Sequence, residues 1–126
     1  MAVLDTTFLV SLEQGKGKAE ERYLDLQAGR EPVRVPAAVW TEYLSGFPPR
    51  ERDEARETLE AAVGFEPFTR QMADESARIQ HELMRAGGTL GWHDLQVATT
   101  ALHYDEVLFS SDERFEVVPG LAVEGL

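Results

Sequence analysis

Two carboxylates stand where short apolar runs end. Asp5 follows the run Ala2-Val3-Leu4, and Asp112 follows Val107-Leu108-Phe109 after two serines. Both runs have the composition of buried strands. Because ligands of open α/β sheets bind at the carboxyl ends of the strands, we expect these two acids to lie close together at one edge of a sheet.

Two further carboxylates share predicted helix faces with apolar residues. Asp94 stands three residues before Val97, and Glu42 stands three residues after Val39, so each acid lies on a stripe that should face the core. A carboxylate on such a stripe costs desolvation free energy unless a cation or hydrogen bonds compensate it. We therefore group these two acids with the two at the strand ends.

Four converging carboxylates, without cysteine and without histidines at a metal-ligand spacing, suit Mg²⁺ or Mn²⁺. Such a cation can polarise a phosphate and lower the pKa of a water, which is the chemistry of phosphodiester hydrolysis. Each acid alone has a plainer interpretation: Asp5 as a helix cap, Asp94 as a helix-dipole partner, Asp112 as a turn residue and Glu42 as a solvated residue. Their joint placement favours a metal site. We expect His93, next to Asp94, to point away from it.

Short apolar runs alternate with helical patterns, which predicts one α/β domain over residues 1–126 with a mostly parallel sheet. The predicted strands are 2–4, 33–35, a doubtful 65–67, 107–109 and a last strand at 115–118. The first predicted helix begins at Thr6. Five further helices are predicted at about 18–29, 36–45, 50–62, 69–86 and 92–103. These elements must bring the four acids together.

The chain is acidic, with a net charge of −11 and a pI near 4.6. Since neutralisation of phosphates supplies most nonspecific nucleic-acid affinity, any nucleic-acid substrate must be reached through local arginines, a metal ion or a partner. The absence of cysteine excludes disulfides, zinc-thiolate sites and thiol catalysis. Neither a signal peptide nor a run of roughly 18 apolar residues is present, so we expect a cytoplasmic protein.

Four pieces of the chain resemble the motifs of the PIN-domain family, and specifically of the small VapC-type toxin ribonucleases. They are Val3-Leu4-Asp5-Thr6-Thr7-Phe8-Leu9, Pro36-Ala37-Ala38-Val39-Trp40-Thr41-Glu42-Tyr43-Leu44, Gly91-Trp92-His93-Asp94-Leu95-Gln96-Val97-Ala98 and Ser110-Ser111-Asp112-Glu113-Arg114-Phe115. They occur in the family's order and spacing, across nearly the whole chain. The third and fourth pieces are the most specific.

The resemblance implies a three-layer α/β/α sandwich with a central, mostly parallel sheet of four to five strands. It implies a Mg²⁺- or Mn²⁺-dependent endoribonuclease that acts on structured RNA, forms a homodimer and is held inactive by a cognate antitoxin. By motif position, the acids that bind metal and catalyse are Asp5, Glu42, Asp94 and Asp112, and the supporting hydroxyls are Thr6 and Ser110.

Three other functions remain open from the sequence. A phosphohydrolase of the HAD type also has an aspartate after its first strand, but it usually has a second one two residues later, where this chain has Thr7. A PIN nuclease that processes RNA outside a toxin system would have the same motifs. A PIN-like module that binds without cutting would have no need of four costly acids.

Overall fold

The structure is a computed structural model that describes residues 1–125. Its strands are β1 (Ala2–Leu4), β2 (Val33–Pro36), β3 (Gly64–Glu66), β4 (Val107–Phe109) and β5 (Val123–Glu124). Its α-helices are α1 (Thr6–Glu13), α2 (Gly17–Ala28), α3 (Ala37–Ser45), α4 (Pro49–Ala62), α5 (Arg70–Arg85) and α6 (Trp92–Tyr104). None of these helices is both long and apolar enough to cross a membrane.

The five strands form one parallel sheet in the order β3-β2-β1-β4-β5. The helices flank this sheet, which confirms the predicted three-layer α/β/α fold. The chain runs outward from β1 through β2 to β3, and then returns to the other side of β1 to form β4 and β5. The strand order thus reverses at β1, and in open α/β sheets the ligand crevice lies at such a point.

The core is built where the apolar pattern predicted it. All three residues of β1 are fully buried, as expected for a central parallel strand covered on both faces. On α5 the residues Met72, Ser76, Ile79 and Leu83, which recur at helical spacing, are buried on one face. This stripe holds α5 against the body of the protein, and α5 packs in turn against α6.

The predicted last strand at 115–118 is wrong. Residues Glu113–Val117 form a 3-10 helix, and the last strand is Val123–Glu124. The Asp112 carboxylate accepts the backbone N–H of Arg114 at 2.9 Å, which starts a tight turn instead of a strand. Phe115 and Val118 are buried in the core whereas Val117 is exposed, so the apolar residues of this segment are spaced for a turn and not for a strand.

The start of α3 also differs from the prediction by one residue. Pro36 closes β2, at a register position opposite Glu66 of β3, and α3 begins at Ala37. Proline is tolerated here because it is the last residue of the strand and needs no further ladder hydrogen bond.

Candidate active site

The four predicted acids line one cavity of about 510 Å³. We call it the acidic cavity; its lining includes Asp5, Thr6, Thr7, Glu42, His93, Asp94, Asp112 and Arg114. Asp5 follows β1 directly and Asp112 follows β4, so the cavity lies at the carboxyl edge of the two central strands. Glu42 comes from the middle of α3 and Asp94 from the first turn of α6.

Asp5 is the most enclosed of the four acids, with 5% of the residue exposed. It caps α1, where its carboxylate accepts the Phe8 N–H at 3.1 Å and the Thr7 hydroxyl at 2.6 Å. The Ser110 hydroxyl donates to its other oxygen. Burial raises the pKa of Asp5 above its usual value, and the hydrogen bonds from Ser110, Thr7 and Phe8 partly oppose that rise. A neighbouring cation would therefore favour the ionised form.

Ser110 joins the ends of β1 and β4. Its Oγ accepts the backbone N–H of Asp112 at 3.0 Å while its O–H donates to Asp5. A second bridge runs from the Ser111 N–H to the Thr7 hydroxyl at 3.1 Å. These contacts place Ser110 between two of the predicted acids, and they show that Thr7 links the same two segments.

Glu42 has a different set of neighbours. The Thr6 hydroxyl donates to Glu42 Oε2 at 3.0 Å, so Thr6 supports this acid and not Asp5. His93 Nε2 lies 2.6 Å from the same oxygen, although its N–H direction is unsuited to a hydrogen bond. Half of the Glu42 side chain is exposed, which leaves it open to solvent and substrate.

The expectation that His93 points away from the acids is wrong. Its Nδ1 lies 3.3 Å from Asp94 Oδ1 while its Nε2 approaches Glu42. Helical side chains lean back toward the helix N-terminus, and the N-terminus of α6 borders the acidic cavity. Both residues of the pair are therefore directed into it.

A cation of the protein itself lies among the acids. Arg114 donates from Nε to Asp112 Oδ2 at 2.9 Å, and its NH1 lies 3.4 Å from Asp94 Oδ2. The guanidinium holds the pKa of Asp112 below its usual value. The Arg114 side chain is 70% exposed, so it borders the cavity from the solvent side and does not form part of the core.

The donor chemistry of the cavity fits a hard divalent cation, since it offers four carboxylates and no sulfur. Within residues 1–125, however, no three acidic or histidine side chains are placed to share a metal ion. Each acid is engaged elsewhere: Asp5 by hydroxyls, Glu42 by Thr6 and His93, and the other two by Arg114. The acids would have to turn from these partners to share an ion, and Arg114 is the charged competitor.

Sequence reasoning did not single out Thr7, His93 or Arg114 as site residues. Thr7 and Arg114 each stand two residues after an acid of the site, and side chains at this offset can reach back to a carboxylate in a tight turn. The signal was thus present in the same motifs that revealed the acids. For His93 the signal was its place in the first turn of a helix that already carried Asp94.

Comparisons with known proteins agree with this architecture. The sequence model of the family described as PIN domain matches residues 2–121. No curated protein sequence matches the chain significantly.

Solved structures share the fold at low sequence identity. A chain of VapBC2 from Rickettsia felis, bound to a DNA fragment from its promoter, superposes with a TM-score of 0.85 at 18% identity, covering 99% of this chain and 98% of that one. DNA-bound VapBC from Salmonella typhimurium gives 0.85 at 21% identity, with coverages of 98% and 96%. VapC20 from Mycobacterium tuberculosis, a sarcin-ricin loop cleaving toxin, gives 0.65 at 16%, with coverages of 92% and 93%.

Proposed function

The chain belongs to the PIN-domain family, and from that membership we propose that it is a metal-dependent endoribonuclease, the toxin of a toxin-antitoxin pair that acts on cytoplasmic RNA. The observation that carries the proposal is the convergence of Asp5, Glu42, Asp94 and Asp112 on one cavity at the reversal point of the sheet. Phosphodiester hydrolysis is the chemistry that such a set of acids serves best.

We assign Asp5, Asp94 and Asp112 as the main holders of Mg²⁺ or Mn²⁺, with Glu42 beside them. When bound, the cation would lower the pKa of a water and offset the charge that develops on the phosphate. Ser110 keeps Asp5 and Asp112 in register through its two hydrogen bonds, and Thr6 fixes one oxygen of Glu42. Each supporting hydroxyl thus orients an acid of the site.

Glu42 is suited to the role of general base. Its Oε2 accepts from Thr6, whereas its Oε1 makes no hydrogen bond within residues 1–125. The proton of the attacking water would be held at this free Oε1. His93 Nε2 lies 2.6 Å from Oε2 and borders the carboxylate on that side, so Oε1 is the oxygen open to the water.

Arg114 is suited to the RNA phosphate. Its guanidinium presents paired N–H donors, since Nε and NH2 both donate to the Asp112 carboxylate. A phosphate group offers the same paired acceptors. If Asp94 and Asp112 held the cation, the arginine would be released to contact the phosphate. It would then supply local positive charge in a chain of net charge −11.

The proposed partner is an antitoxin. Several chains that share this fold come from toxin-antitoxin complexes. A basic side chain of such a partner would find the same acids that Arg114 now contacts, which would block the cavity. We also expect a homodimer. Co-purification from native cells at high salt tests the partner, and recovery of the free chain alone would count against it.

Cleavage of RNA tests the reaction. We expect purified chain to cleave total RNA in Mn²⁺, to stop in chelator and to resume when Mn²⁺ is restored. Asp94→Asn should reduce cleavage by at least about 100-fold, because it removes a charge that holds the cation. Asp105→Asn is the matched control: it makes the same change at the other end of α6, where the left-handed backbone (φ 52°) suits asparagine.

Three outcomes would contradict the proposal. Undiminished cleavage in chelator would exclude the metal mechanism. RNA binding without any cleavage in Mn²⁺ would make the protein a binding module. A stable aspartyl-phosphate on Asp5 would show a phosphohydrolase of the HAD type.

A further inference from the structure

An apolar groove adjoins the acidic cavity. It has a volume of about 450 Å³ and runs between α5 and α6. We call it the tryptophan groove; its lining includes Phe68, Ala73, Ala77, His81, Met84 and Trp92. Trp92 also lines the acidic cavity, so a ligand seated on its ring would touch both sites. The groove plays no part in the mechanism described above.

The groove exists because two side chains of α5 that face it are small. Ala73 and Ala77 are small, so they leave space between the two helices where larger residues would close it. Trp92 is 74% exposed and Met84 is 60% exposed. Large apolar side chains grouped in this way on a surface are typical of a binding site.

The absence of negative charge makes the groove a more favourable place for a nucleic acid than the acidic parts of the surface. None of its lining residues is charged, whereas the lining of a cavity of about 700 Å³ between α1, α3 and α4 includes Glu13, Glu51 and Glu54. Helix α5 carries three arginines and three acids, so it is neutral in a chain of net charge −11. No carboxylate within residues 1–125 forms an ion pair with Arg70 or Arg85, which begin and end this helix. A phosphate backbone would meet less repulsion here than at the acidic cavity beside it.

Two polar side chains on the groove have unused hydrogen-bonding capacity. The side chains of His81 and Gln96 make no hydrogen bond within residues 1–125. Gln80, by contrast, is fully used in holding the backbone of Leu90. The groove therefore offers an aromatic face with hydrogen-bonding groups beside it, the combination that binds unstacked bases in single-stranded RNA.

We propose that the tryptophan groove binds one unstacked base of single-stranded RNA, stacked on Trp92, next to the phosphate held in the acidic cavity. The proposal rests on the proposed ribonuclease function, since it assigns a substrate subsite to the same enzyme. It also explains how an acidic protein can hold RNA: base stacking supplies affinity that is independent of net charge.

Binding of short RNA tests the proposal. The affinity of 5′-labelled hexaribonucleotides is measured by fluorescence anisotropy at low salt and in chelator, so that binding is read without cleavage. We expect Trp92→Ala to weaken binding by about 5- to 150-fold, the usual effect of losing one base–aromatic stack. Trp92→Phe should restore most of it. Leu24→Ala, on another exposed apolar side chain outside the groove, should bind as the parent chain does.

A scan with abasic nucleotides identifies the stacked base. Removal of one base of the six should weaken binding to the parent chain, and the same removal should have no effect on Trp92→Ala. Ala77→Leu, which fills the groove without changing Trp92, should cause the same loss. Thermal unfolding and circular dichroism verify that each variant is folded.

The possible results separate the two proposals. If Trp92→Ala and Ala77→Leu bind RNA like Leu24→Ala, or if the parent chain binds no oligonucleotide, the groove is not an RNA site. If both variants change the molar mass in light scattering and RNA binding falls only with that change, the groove is a contact between copies and the inference is overturned. If removal of one base weakens binding to the parent chain but not to Trp92→Ala, and Mn²⁺ supports no cleavage, the groove is an RNA site and the proposed nuclease function is wrong.

Discussion

The guanidinium of Arg114 is the group that a divalent cation would have to displace. It contacts Asp112 and lies near Asp94, two of the acids assigned to the cation. We expect Arg114→Ala to bind Mn²⁺ more tightly, by about 3- to 10-fold, because a competing positive charge is removed. RNA cleavage should nevertheless fall, since the phosphate loses its paired donor. Calorimetry measures the first effect and initial rates of cleavage the second.

Arg50→Ala is a suitable control for this change, because it removes the same charge from an exposed position on α4. If both variants bind Mn²⁺ equally well, Arg114 does not compete with the cation. Carbon-detected NMR titration of the metal-free protein adds a second measurement: the pKa of Asp112 should rise toward its usual value in Arg114→Ala. The contribution of this pair to stability is present above pH 3.8 and is lost as the pH falls through the lowered pKa.

Ser110, which follows β4, influences the pKa of Asp5, which follows the neighbouring strand β1. Its hydrogen bond opposes the rise in the pKa of Asp5 that burial causes. Ser110→Ala should therefore raise that pKa further, and the low-pH limit of Mn²⁺ binding should move to higher pH. The sign follows from linkage: a raised pKa keeps the acid protonated to a higher pH, and only the ionised form binds the cation.

Mn²⁺ affinity measured from pH 4 to 8 checks this expectation. Ser111→Ala is the neighbouring control, since the contact from Ser111 to Thr7 uses its backbone N–H and survives the substitution. A curve for Ser110→Ala that coincides with that of Ser111→Ala would contradict the role assigned to Ser110.

At the scale of the elements, one glutamine positions the start of α6. Gln80 on α5 donates to the carbonyl of Leu90 at 2.7 Å and accepts the N–H of Leu90 at 3.1 Å. Leu90 stands just before α6, whose first turn carries His93 and Asp94. Gln80→Ala should lower the free energy of unfolding by about 1–3 kcal/mol, because two backbone groups of a buried residue lose their partner.

The same variant should also weaken catalysis, since the first turn of α6 loses its anchor. Chemical denaturation and the rate of RNA cleavage measure the two effects. Gln71→Ala, an exposed glutamine of the same helix, should change neither. Equal stability of the two variants would show that the α5–α6 connection is held by other contacts.

The contrast between β1 and the 115–118 segment shows what sequence patterns can predict. β1 is fully buried, and in an α/β protein a short continuous apolar run is typical of a buried central strand. The segment at 115–118 has a strand-like alternation, but the capping interaction of Asp112 with the Arg114 N–H turns it into a 3-10 helix. The conformation of this segment depends on a side-chain hydrogen bond, and such a bond cannot be predicted from the periodicity of apolar residues.

The same distinction holds for the candidate site. The convergence of the four acids on one cavity could be predicted, because two of them follow apolar strands and the other two stand on apolar helix stripes. Arg114 and His93 could not, because both are ordinary polar residues whose importance depends on where neighbouring segments bring them. The ends of β1 and β4 were expected to meet, but the hydrogen bond between Ser110 and Asp5, which are 105 residues apart, is visible only in the structure.

For the whole molecule, net charge predicts a dependence of stability on salt. The chain has a formal net charge of −11, and most of its ion pairs within residues 1–125 lie at the surface, such as those of Arg56 with Asp53 and Glu60. Surface pairs contribute little, whereas repulsion among excess charges of one sign is screened by salt. KCl should therefore raise the thermal unfolding temperature.

A gain of about 1 kcal/mol between 10 mM and 1 M KCl would raise the unfolding temperature by about 4 °C for a protein of this size. The measurement is made in chelator, so that bound cations do not add their own stabilisation. The unfolding temperature measured in an equal concentration of a neutral osmolyte separates charge screening from the general effect of an added solute. An unfolding temperature that falls with KCl would mean that the ion pairs outweigh the repulsion.

The central position of β1 has a consequence for how the protein is made. β1 leaves the ribosome before the other strands of this sheet, yet one of its two neighbours is β4, which is synthesised about a hundred residues later. Such a distant pairing makes the closure of the sheet a late event in folding. A nascent chain that ends before β4 holds Asp5 without Ser110 or Asp112, and so has no complete site. A ribosome that stalls or a message that is cut short before β4 therefore releases a fragment in which the acidic cavity is not assembled.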